Sequence, residues 1–393
     1  MYNNIDIMIK TVLMAGGKGT RLRPLTYIRP KPMIQLVNKP IMQYMMERLR
    51  SSGFSNLIIT LSYMSSHIKH YFKDGAEMNL NIKYSVEPWP LGTGGGVKKV
   101  KKFIDDTFFV VSGDVITDVN FKDLLKFHKD KGALATMVLT PVDDPSHFGI
   151  AELNDTQRIV NYLEKPAPDQ VFSNIANTGT YVFQPEIFDY LDRKKGEVDF
   201  SKHIFPQIIK EEAGLYGYIF DGYWNDVGRP ETYIKATYDL LDQEIKQRLM
   251  GRKLKGKLGR LGNIWAGKNL KLGKKVRIEG PVVIGDNCVF EDGCKISQGS
   301  VIGNNVLIKK NANIQGAVIF SDTVIGENSF IDGCIIDSRC KIHENTVVEK
   351  NVVVGSLTEL GAGCIIKSSR KIINNTHILP ETIVDYDYLI ETV

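Results

Sequence analysis

Apolar residues recur every six positions in the last third of the chain, at Leu272, Ile278, Ile284, Phe290, Ile296, Ile302, Ile308, Ile314 and Phe320. The rhythm stumbles, with five-residue steps into Ile325 and Ile336, then resumes at Ile342, Val348, Val354, Leu360, Ile366, Ile372, Ile378 and Val384. This period fits neither a helix nor an alternating half-buried strand. It fits short parallel strands wound into a solenoid whose stacked coils bury one apolar row. Four residues after most of these positions the side chain is small, as at Cys288, Cys294, Ser300, Ala312, Cys340, Thr346, Thr358, Cys364, Thr376 and Thr382. A narrow interior needs that alternation of large and small. Arg370 breaks the small row, which predicts looser final coils. Gly follows the apolar residue at 273, 285, 303, 326, 355 and 361, and is read as supplying coil corners. The stumble between Phe320 and Ile342 predicts a local kink or loop.

The preceding residues show a different pattern, with β-prone apolar runs alternating with helical ones. Residues 7–14 read as a strand that leads into a Gly-rich loop at 15–23. Pro40 opens a helix carrying Ile41, Tyr44, Met45 and Leu49, and Gly53 ends it. Residues 57–61, 82–86 and 108–111 read as further strands and 66–73 as a short helix. Such alternation predicts a mostly parallel α/β sheet with helices on both faces. Ligands of such sheets lie beyond the carboxyl ends of the strands. The expected domains are 1–243, a basic Gly-containing linker at 244–265, and the β-helix at 266–393.

Composition narrows the setting. The chain has 393 residues, 43% hydrophobic and 24% charged, ordinary for a soluble globular protein of two domains. No apolar run approaches the ~18 residues of a membrane span. Asp6 and Lys10 interrupt the N-terminal apolar stretch, so no signal peptide is read and a cytoplasmic location is expected. All five cysteines lie in the solenoid, without metal-ligand spacing, and read as buried thiols rather than disulfides. His67 and His70 sit three apart on an expected helix with no third ligand nearby. The net charge is +5, yet residues 245–277 hold twelve Lys or Arg and no acid, which leaves −7 elsewhere (5 − 12). That stretch reads as a solvated linker or as an anion- or partner-binding strip. No nucleic-acid partner is expected.

Four elements carry candidate chemistry. Residues 15–23 form a Gly-rich turn after a strand, which lets backbone N–H groups approach phosphate, with Lys18, Arg21 and Arg23 adding charge. The spacing is neither a Walker A loop nor a dinucleotide fingerprint. In Pro30-Lys31-Pro32 two prolines hold one lysine. Asp114 ends an apolar strand, and Asp226 lies in Tyr223-Trp224-Asn225-Asp226-Val227-Gly228. Two such carboxylates can share one Mg²⁺ with substrate phosphates, though either could instead cap a helix or turn.

Together these stretches resemble the sugar-1-phosphate nucleotidyltransferases, also called nucleotide-sugar pyrophosphorylases, over about residues 9–240. The family's Gly-x-Gly-x-Arg-x-x-Pro … Pro-Lys signature is similar to residues 17–31. Further matches are Leu91-Gly92-Thr93-Gly94, Ser112-Gly113-Asp114, Phe148-Gly149, Glu164-Lys165-Pro166 and Asn177-Thr178-Gly179-Thr180-Tyr181. The solenoid resembles the left-handed β-helix that many members carry. The resemblance implies that the loop of Ala15, Gly16, Gly17, Gly19 and Thr20 cradles the triphosphate. It implies that Arg21 neutralises the phosphorus under attack and that Lys31 grips the sugar phosphate. Asp114 and Asp226 would hold Mg²⁺, and Glu87, Gly92 and Thr93 would line the base pocket. Gly149, Glu164 and Asn177 would bind sugar hydroxyls, and Lys165 the sugar phosphate.

The implied reaction joins a nucleoside triphosphate to a sugar-1-phosphate. Residues 87–95 look closer to guanylyltransferases acting on mannose-1-phosphate, although the usual Leu-Gly-Thr-Ala-Gly is here Leu-Gly-Thr-Gly-Gly. The alternatives are glucose-1-phosphate uridylyl- or thymidylyltransfer, a second acetyltransferase activity using His343 or His377, and a regulatory or scaffold subunit. The exposed coil faces lead us to expect a homo-oligomer joined through the β-helix.

Overall fold

The computed structural model describes residues 9–245, 249–254 and 262–388. The expected strand start at Ile7, Asp6, and residues 246–248 and 255–261 of the basic stretch lie outside the described residues. Up to residue 241 the elements are β1 (Lys10–Ala15), β2 (Gln35–Leu36), β3 (Lys39–Pro40), α1 (Ile41–Ser51), β4 (Asn56–Leu61), α2 (Ser65–Phe72), β5 (Asn81–Val86), α3 (Gly92–Lys99), β6 (Phe108–Ser112), β7 (Val115–Thr117), α4 (Phe121–Lys131), β8 (Ala135–Pro141), β9 (Gly149–Leu153), β10 (Ile159–Glu164), β11 (Ile175–Phe183), α5 (Ile187–Asp192), α6 (Phe205–Lys210), β12 (Leu215–Ile219), β13 (Trp224–Asp226) and α7 (Pro230–Leu241). Short coil strands follow from Arg252 onward. Packing divides the chain into two compact units, residues 1–18 with 42–226, and residues 19–41 with 227–393.

The first unit is built on a nine-stranded sheet in the order β10-β9-β11-β6-β1-β4-β5, with β8 beside β11 and β12 beside β8. Strands β6, β1, β4 and β5 are parallel neighbours, as the alternation of strand and helix predicts. Beyond β6 the sheet turns mixed, because β11 runs antiparallel to β6, β8 and β9. Strands covered on both faces read as continuous apolar runs; Val12, Val110 and Phe108 are fully buried. Phe108 stacks on Phe188 at 5.6 Å between centroids, and Phe183, Phe200 and Phe205 extend this aromatic core. Gly113 follows β6 because its N–H bonds to the Met14 carbonyl at 2.9 Å, and a Cβ there would lie 2.8 Å from Leu13 Cδ2.

The second unit is a three-faced β-helix. Its strands form three parallel sheets, the first opened by the antiparallel strand Arg252–Lys253 against Ile264–Ala266. The interior is one continuous column in which Ile284, Ile302, Ile319, Ile336 and Val354 stack along one face. Here the structure corrects the sequence pattern: the interior residue is Ile319, not Phe320. From Ile284 to Ile302 a turn takes 18 residues (302 − 284), and the next two take 17 each (319 − 302 and 336 − 319). The stumble is therefore no kink. It is one residue missing from each of two stacked corners, where Gly316 and Gly333 both sit at φ 52°. Tyr238 of α7 is seated at the first of these corners, its hydroxyl donating to the Gly316 carbonyl at 2.9 Å. Phe320, displaced from the interior, receives the Arg29 guanidinium 5.5 Å from its ring centroid.

The glycines after the apolar residues also serve a different purpose from the one expected. None of 273, 285, 303, 326, 355 and 361 has positive φ; Asn is the commonest residue at the left-handed corners, as at Asn287, Asn305 and Asn345, with other glycines such as Gly293 and Gly363 at some of the rest. Asn tolerates that region better than most residues. The glycines are there for close approach, since a Cβ on Gly326 would lie 2.3 Å from the His343 carbonyl carbon of the next coil. The break at Arg370 opens nothing, because Ile366 and Ile372 on either side are both 0% exposed. All five cysteines are buried and free, and burial pushes the Cys288 thiol up to about 11.

Gly326→Ala is expected to destabilise the protein by roughly 1–3 kcal/mol, the usual cost of forcing an atom into a packed site. Gly363→Asn, at φ 71° with its nearest neighbour atom 3.6 Å from the added Cβ, should shift stability by no more than about 0.5 kcal/mol. Thermal unfolding of the two full-length variants checks both.

Candidate functional site

In the first unit, β1 ends at Ala15 and delivers Gly16 and Gly17 to the carboxyl edge of the sheet. A Cβ on Gly16 would lie 3.5 Å from Ser62 Cβ, while one on Gly17 would meet nothing within 4 Å. The Gly17 backbone is thus open on the side a phosphate would approach. Glu87 lies beneath this turn, mostly buried, its Oε2 accepting the Leu91 N–H at 3.1 Å at the start of α3. The carboxylate that the sequence assigns to a base pocket thus holds the backbone just before α3. Burial pushes its pKa up against the lowering effects of the Leu91 N–H and Lys99.

The glycine run of α3 is a packing requirement. A Cβ on Gly92, itself at φ 78°, would lie 2.4 Å from the Val198 carbonyl oxygen, and one on Gly96 would lie 2.6 Å from Glu87 Oε1. At Gly94 a Cβ would meet Leu191 Cδ2 at 2.9 Å and Val198 Cγ1 at 3.1 Å. Thr93 Oγ1 donates to Asp199 at 3.1 Å and accepts the Phe200 N–H at 3.0 Å, tying α3 to the turn before α6.

An antiparallel ribbon brings the chain around Asp226 to that around Asp114, far away in sequence. β13 pairs with β7 so that Trp224 faces Thr117, Asn225 faces Ile116 and Asp226 faces Val115, the residue after Asp114. The ribbon is anchored by the Trp224 indole N–H, which donates to the Thr178 carbonyl at 3.2 Å, and by Trp224 packing edge-on to Phe148. The Ser112 hydroxyl donates to Asp114. Among the described residues no cluster of three or more His, Cys, Asp or Glu could hold a metal. His67 and His70 belong to no such cluster.

Gly149, Glu164 and Asn177 come together around two tyrosines. Asn177 Nδ2 donates to the Tyr162 hydroxyl at 3.2 Å and to that of Tyr181 at 2.9 Å. Tyr162 donates to Glu164 at 3.0 Å and is 2.9 Å from Ser201 Oγ. A Cβ on Gly149 would lie 1.9 Å from the Tyr162 hydroxyl oxygen, so only glycine fits. Burial pushes both phenols far above their ordinary pKa, and they stay neutral donors. Lys165 is mainly exposed, at φ 48°, with its ammonium 3.6 Å from Glu164. Sequence reasoning missed Tyr162 and Ser201, and named Tyr181 only as the end of a matched stretch. Tyr162 had a signal, since it precedes Glu164 by two residues in one strand and so shares its face; Ser201 had none.

The second unit holds the rest of the signature, Gly19, Thr20, Arg21 and Lys31. Gly19 is left-handed (φ 63°, ψ 37°) and starts the turn Thr20–Leu22. Its carbonyl accepts the Thr26 hydroxyl at 2.9 Å, and a Cβ on it would lie 2.7 Å from Lys31 Cβ. Leu22 is buried beneath the turn while Thr20 and Arg21 face out. Lys31 follows Pro30 at the start of the turn Lys31–Met33 and is buried. His343 and His377 lie on stacked coils and share Glu359, His343 at 2.7 Å and His377 at 3.5 Å, with Glu359 held below its ordinary pKa chiefly by His343.

The chain belongs to the nucleotidyl transferase family, whose description matches residues 10–243. Residues 261–366 match the LbH domain of the EIF2B epsilon subunit, in keeping with a left-handed β-helix. The chain is 35% identical to a UTP–glucose-1-phosphate uridylyltransferase of Synechocystis over 61% of its own length and 65% of the relative's. It is 36% identical to a mannose-1-phosphate guanylyltransferase of Mycobacterium tuberculosis over 59% of its length and 65% of the relative's. It thus spans about two thirds of the length of these curated relatives. Among solved structures, HddC from Yersinia pseudotuberculosis complexed with GMP-PN matches with TM-score 0.52 and 28% identity, over 59% of this chain and 100% of that one. The family generally works with a divalent metal. No helix of the described residues is long and apolar enough to cross a membrane.

The raised pKa of Glu87 gives a signed prediction. A carboxyl whose folded pKa lies above its ordinary 4.5 holds its proton longer in the folded chain, so its contribution to stability is present below that value and is lost as pH rises through the raised one. Glu87→Gln keeps an oxygen for the Leu91 N–H and cannot ionise. Its melting temperature relative to the parent should therefore climb as pH rises above the ordinary 4.5 and level off once the raised value is passed, as followed by thermal melts across the acid-to-neutral range.

Proposed function

We propose that this chain transfers a nucleotidyl group from a nucleoside triphosphate to a sugar-1-phosphate. A phosphate oxygen of the sugar-1-phosphate attacks the α-phosphorus, the new P–O bond forms, the α–β bridging bond breaks, and pyrophosphate leaves. The observation that carries this reading is the β7–β13 ribbon, which brings the residues around Asp226 to those around Asp114 in a chain whose signature supplies an open glycine turn, Arg21 and Lys31. The attacking oxygen is already anionic, so no general base is required; the barrier is the meeting of two anions.

In this reading the Gly16, Gly17 and Gly19 backbone receives the triphosphate. Arg21 offsets charge on the α-phosphate and the leaving pyrophosphate. Lys31 holds the sugar phosphate, assisted by Lys165. Glu87, Gly92 and Thr93 border the base, and Gly149, Glu164 and Asn177 border the sugar hydroxyls. Two carboxylates, with no third His, Cys, Asp or Glu clustered beside them among the described residues, suit Mg²⁺, which keeps water and phosphate oxygens in its shell. Bound between Asp114 and Asp226, it would supply positive charge to the substrate phosphates.

The preferred pair is GTP with mannose-1-phosphate, supported by the guanylyltransferase among the relatives; the uridylyltransferase supports UTP with glucose-1-phosphate as the second reading. Residues 1–243 are proposed as the transferase region, 244–265 as the linker and 266–393 as the β-helix. A cytoplasmic enzyme and a homo-oligomer joined through the β-helix complete the proposal, with light scattering testing the oligomer.

A pyrophosphate-release screen of the common nucleoside triphosphates, dTTP included, against several sugar-1-phosphates should find GTP with mannose-1-phosphate turned over fastest. Arg21→Ala and Asp114→Ala should each lose about 10²–10³ in rate while remaining folded. Absence of release with every pair overturns the proposed activity; near-normal rates in both variants overturn the assigned roles.

A further inference from the structure

Arg29 and Asp337 form a buried ion pair that the reading above leaves unexplained. The guanidinium Nη1 lies 2.8 Å from Asp337 Oδ1, and the aspartate side chain is 0% exposed. Oδ1 also accepts the Ser338 N–H at 2.6 Å and the Ser338 hydroxyl at 3.0 Å. Oδ2 is buried with no hydrogen-bond partner. Arg29 reaches Ser338 Oγ at 3.3 Å and lies over the Phe320 ring.

Such a pair is a poor device for stability, because desolvating two charges offsets most of their attraction and an orphaned oxygen adds further cost. It is a good device for fixing a position, since a planar guanidinium clamped on three sides has one pose. What that pose fixes is the signature segment. Arg29 precedes Pro30, whose φ of −70° leads directly into the Lys31 turn. Lys31 Cβ in turn lies where a side chain on Gly19 would sit, and Thr26 bonds the Gly19 carbonyl.

The same segment is tied to the coil at further points. The hairpin of β2 and β3 turns at Val37 and Asn38, both at positive φ. That conformation is costly for a β-branched valine. Asn38 Nδ2 donates to the Ile302 carbonyl at 2.8 Å, and Tyr233 of α7 donates to the Gln35 carbonyl at 2.5 Å. Phe320 is free to receive Arg29 because the shortened corner puts Ile319 in the interior instead. The off-period coils of the solenoid thus meet the segment that carries Arg21 and Lys31.

We infer that Asp337, acting through Arg29, is a positioning residue for nucleotidyl transfer: the β-helix sets where Lys31 and the Gly19–Arg21 turn stand. This rests on the proposed roles of Arg21 and Lys31. The test is kinetic, in the full-length chain, with the nucleotide and sugar-1-phosphate that the parent turns over. Asp337→Asn should lower kcat about tenfold or more, as a small misplacement of a reacting group does, with KM for the nucleotide within about twofold of the parent. The double variant Arg29→Met/Asp337→Leu, which removes both charges, should recover the parent's melting temperature but not its kcat. A merely structural pair would give back both, so a folded double variant with the parent's kcat overturns the inference. If neither variant folds, Asn38→Ala removes the tie to Ile302 without stranding a charge and should still lower kcat; an unchanged kcat there overturns it too. A parent chain inactive with every substrate pair would instead refute the proposed activity.

Discussion

Backbone hydrogen bonding between successive coils is the constraint on which the second unit is built. Each turn donates to the carbonyls of the next, as Gly303 does to Ile319 at 2.7 Å and Phe320 to Ile336 at 2.8 Å. The coils stack so closely that several corners exclude even a Cβ. A wall made this way has little freedom to yield. Where it drops a residue it forms a fixed seat, and Tyr238, Arg29 and Asn38 are held on those coils. The segment 19–41 inherits that rigidity, and with it the lysine and arginine to which we assign the handling of phosphate.

The first unit achieves position by different means. Its parallel strands end together at one edge, and short loops carry glycine where neighbours come too close for a side chain. Its carboxylate pair depends on a two-strand ribbon pinned by Trp224. Its cluster of Gly149, Glu164 and Asn177 depends on two neutral phenols whose burial keeps them protonated. In both places the groups proposed to meet substrate are held by neighbours that need not touch it.

Much of this was legible in the sequence. The six-residue period read out the solenoid because an enclosed interior imposes one apolar residue per face per turn. The strand–helix alternation read out β1, β4 and β6 because those strands are buried on both faces, and the edge strand β5 by its alternation. What the sequence hid was whatever depends on a count of one. Phe320 and Ile319 are both apolar, and only the pairing of Ile302 with Ile319 says which is interior. The glycines after the apolar residues looked like corner residues because both close approach and positive φ select glycine; the left-handed corners themselves are held by Asn more often than by any other residue. The bond from the Leu91 N–H that holds Glu87 against the start of α3 becomes visible only in three dimensions. Nor does any local pattern announce that Arg29 and Asp337, 308 residues apart, share a buried contact.

The central claim is that charge placed by the fold brings two phosphates into reaction. It is tested most directly by the divalent-metal dependence of turnover in Asp226→Asn beside the parent protein. The account predicts that the metal concentration for half-maximal rate rises at least about tenfold, while KM for the sugar-1-phosphate stays unchanged. An identical metal requirement in the two proteins would contradict it.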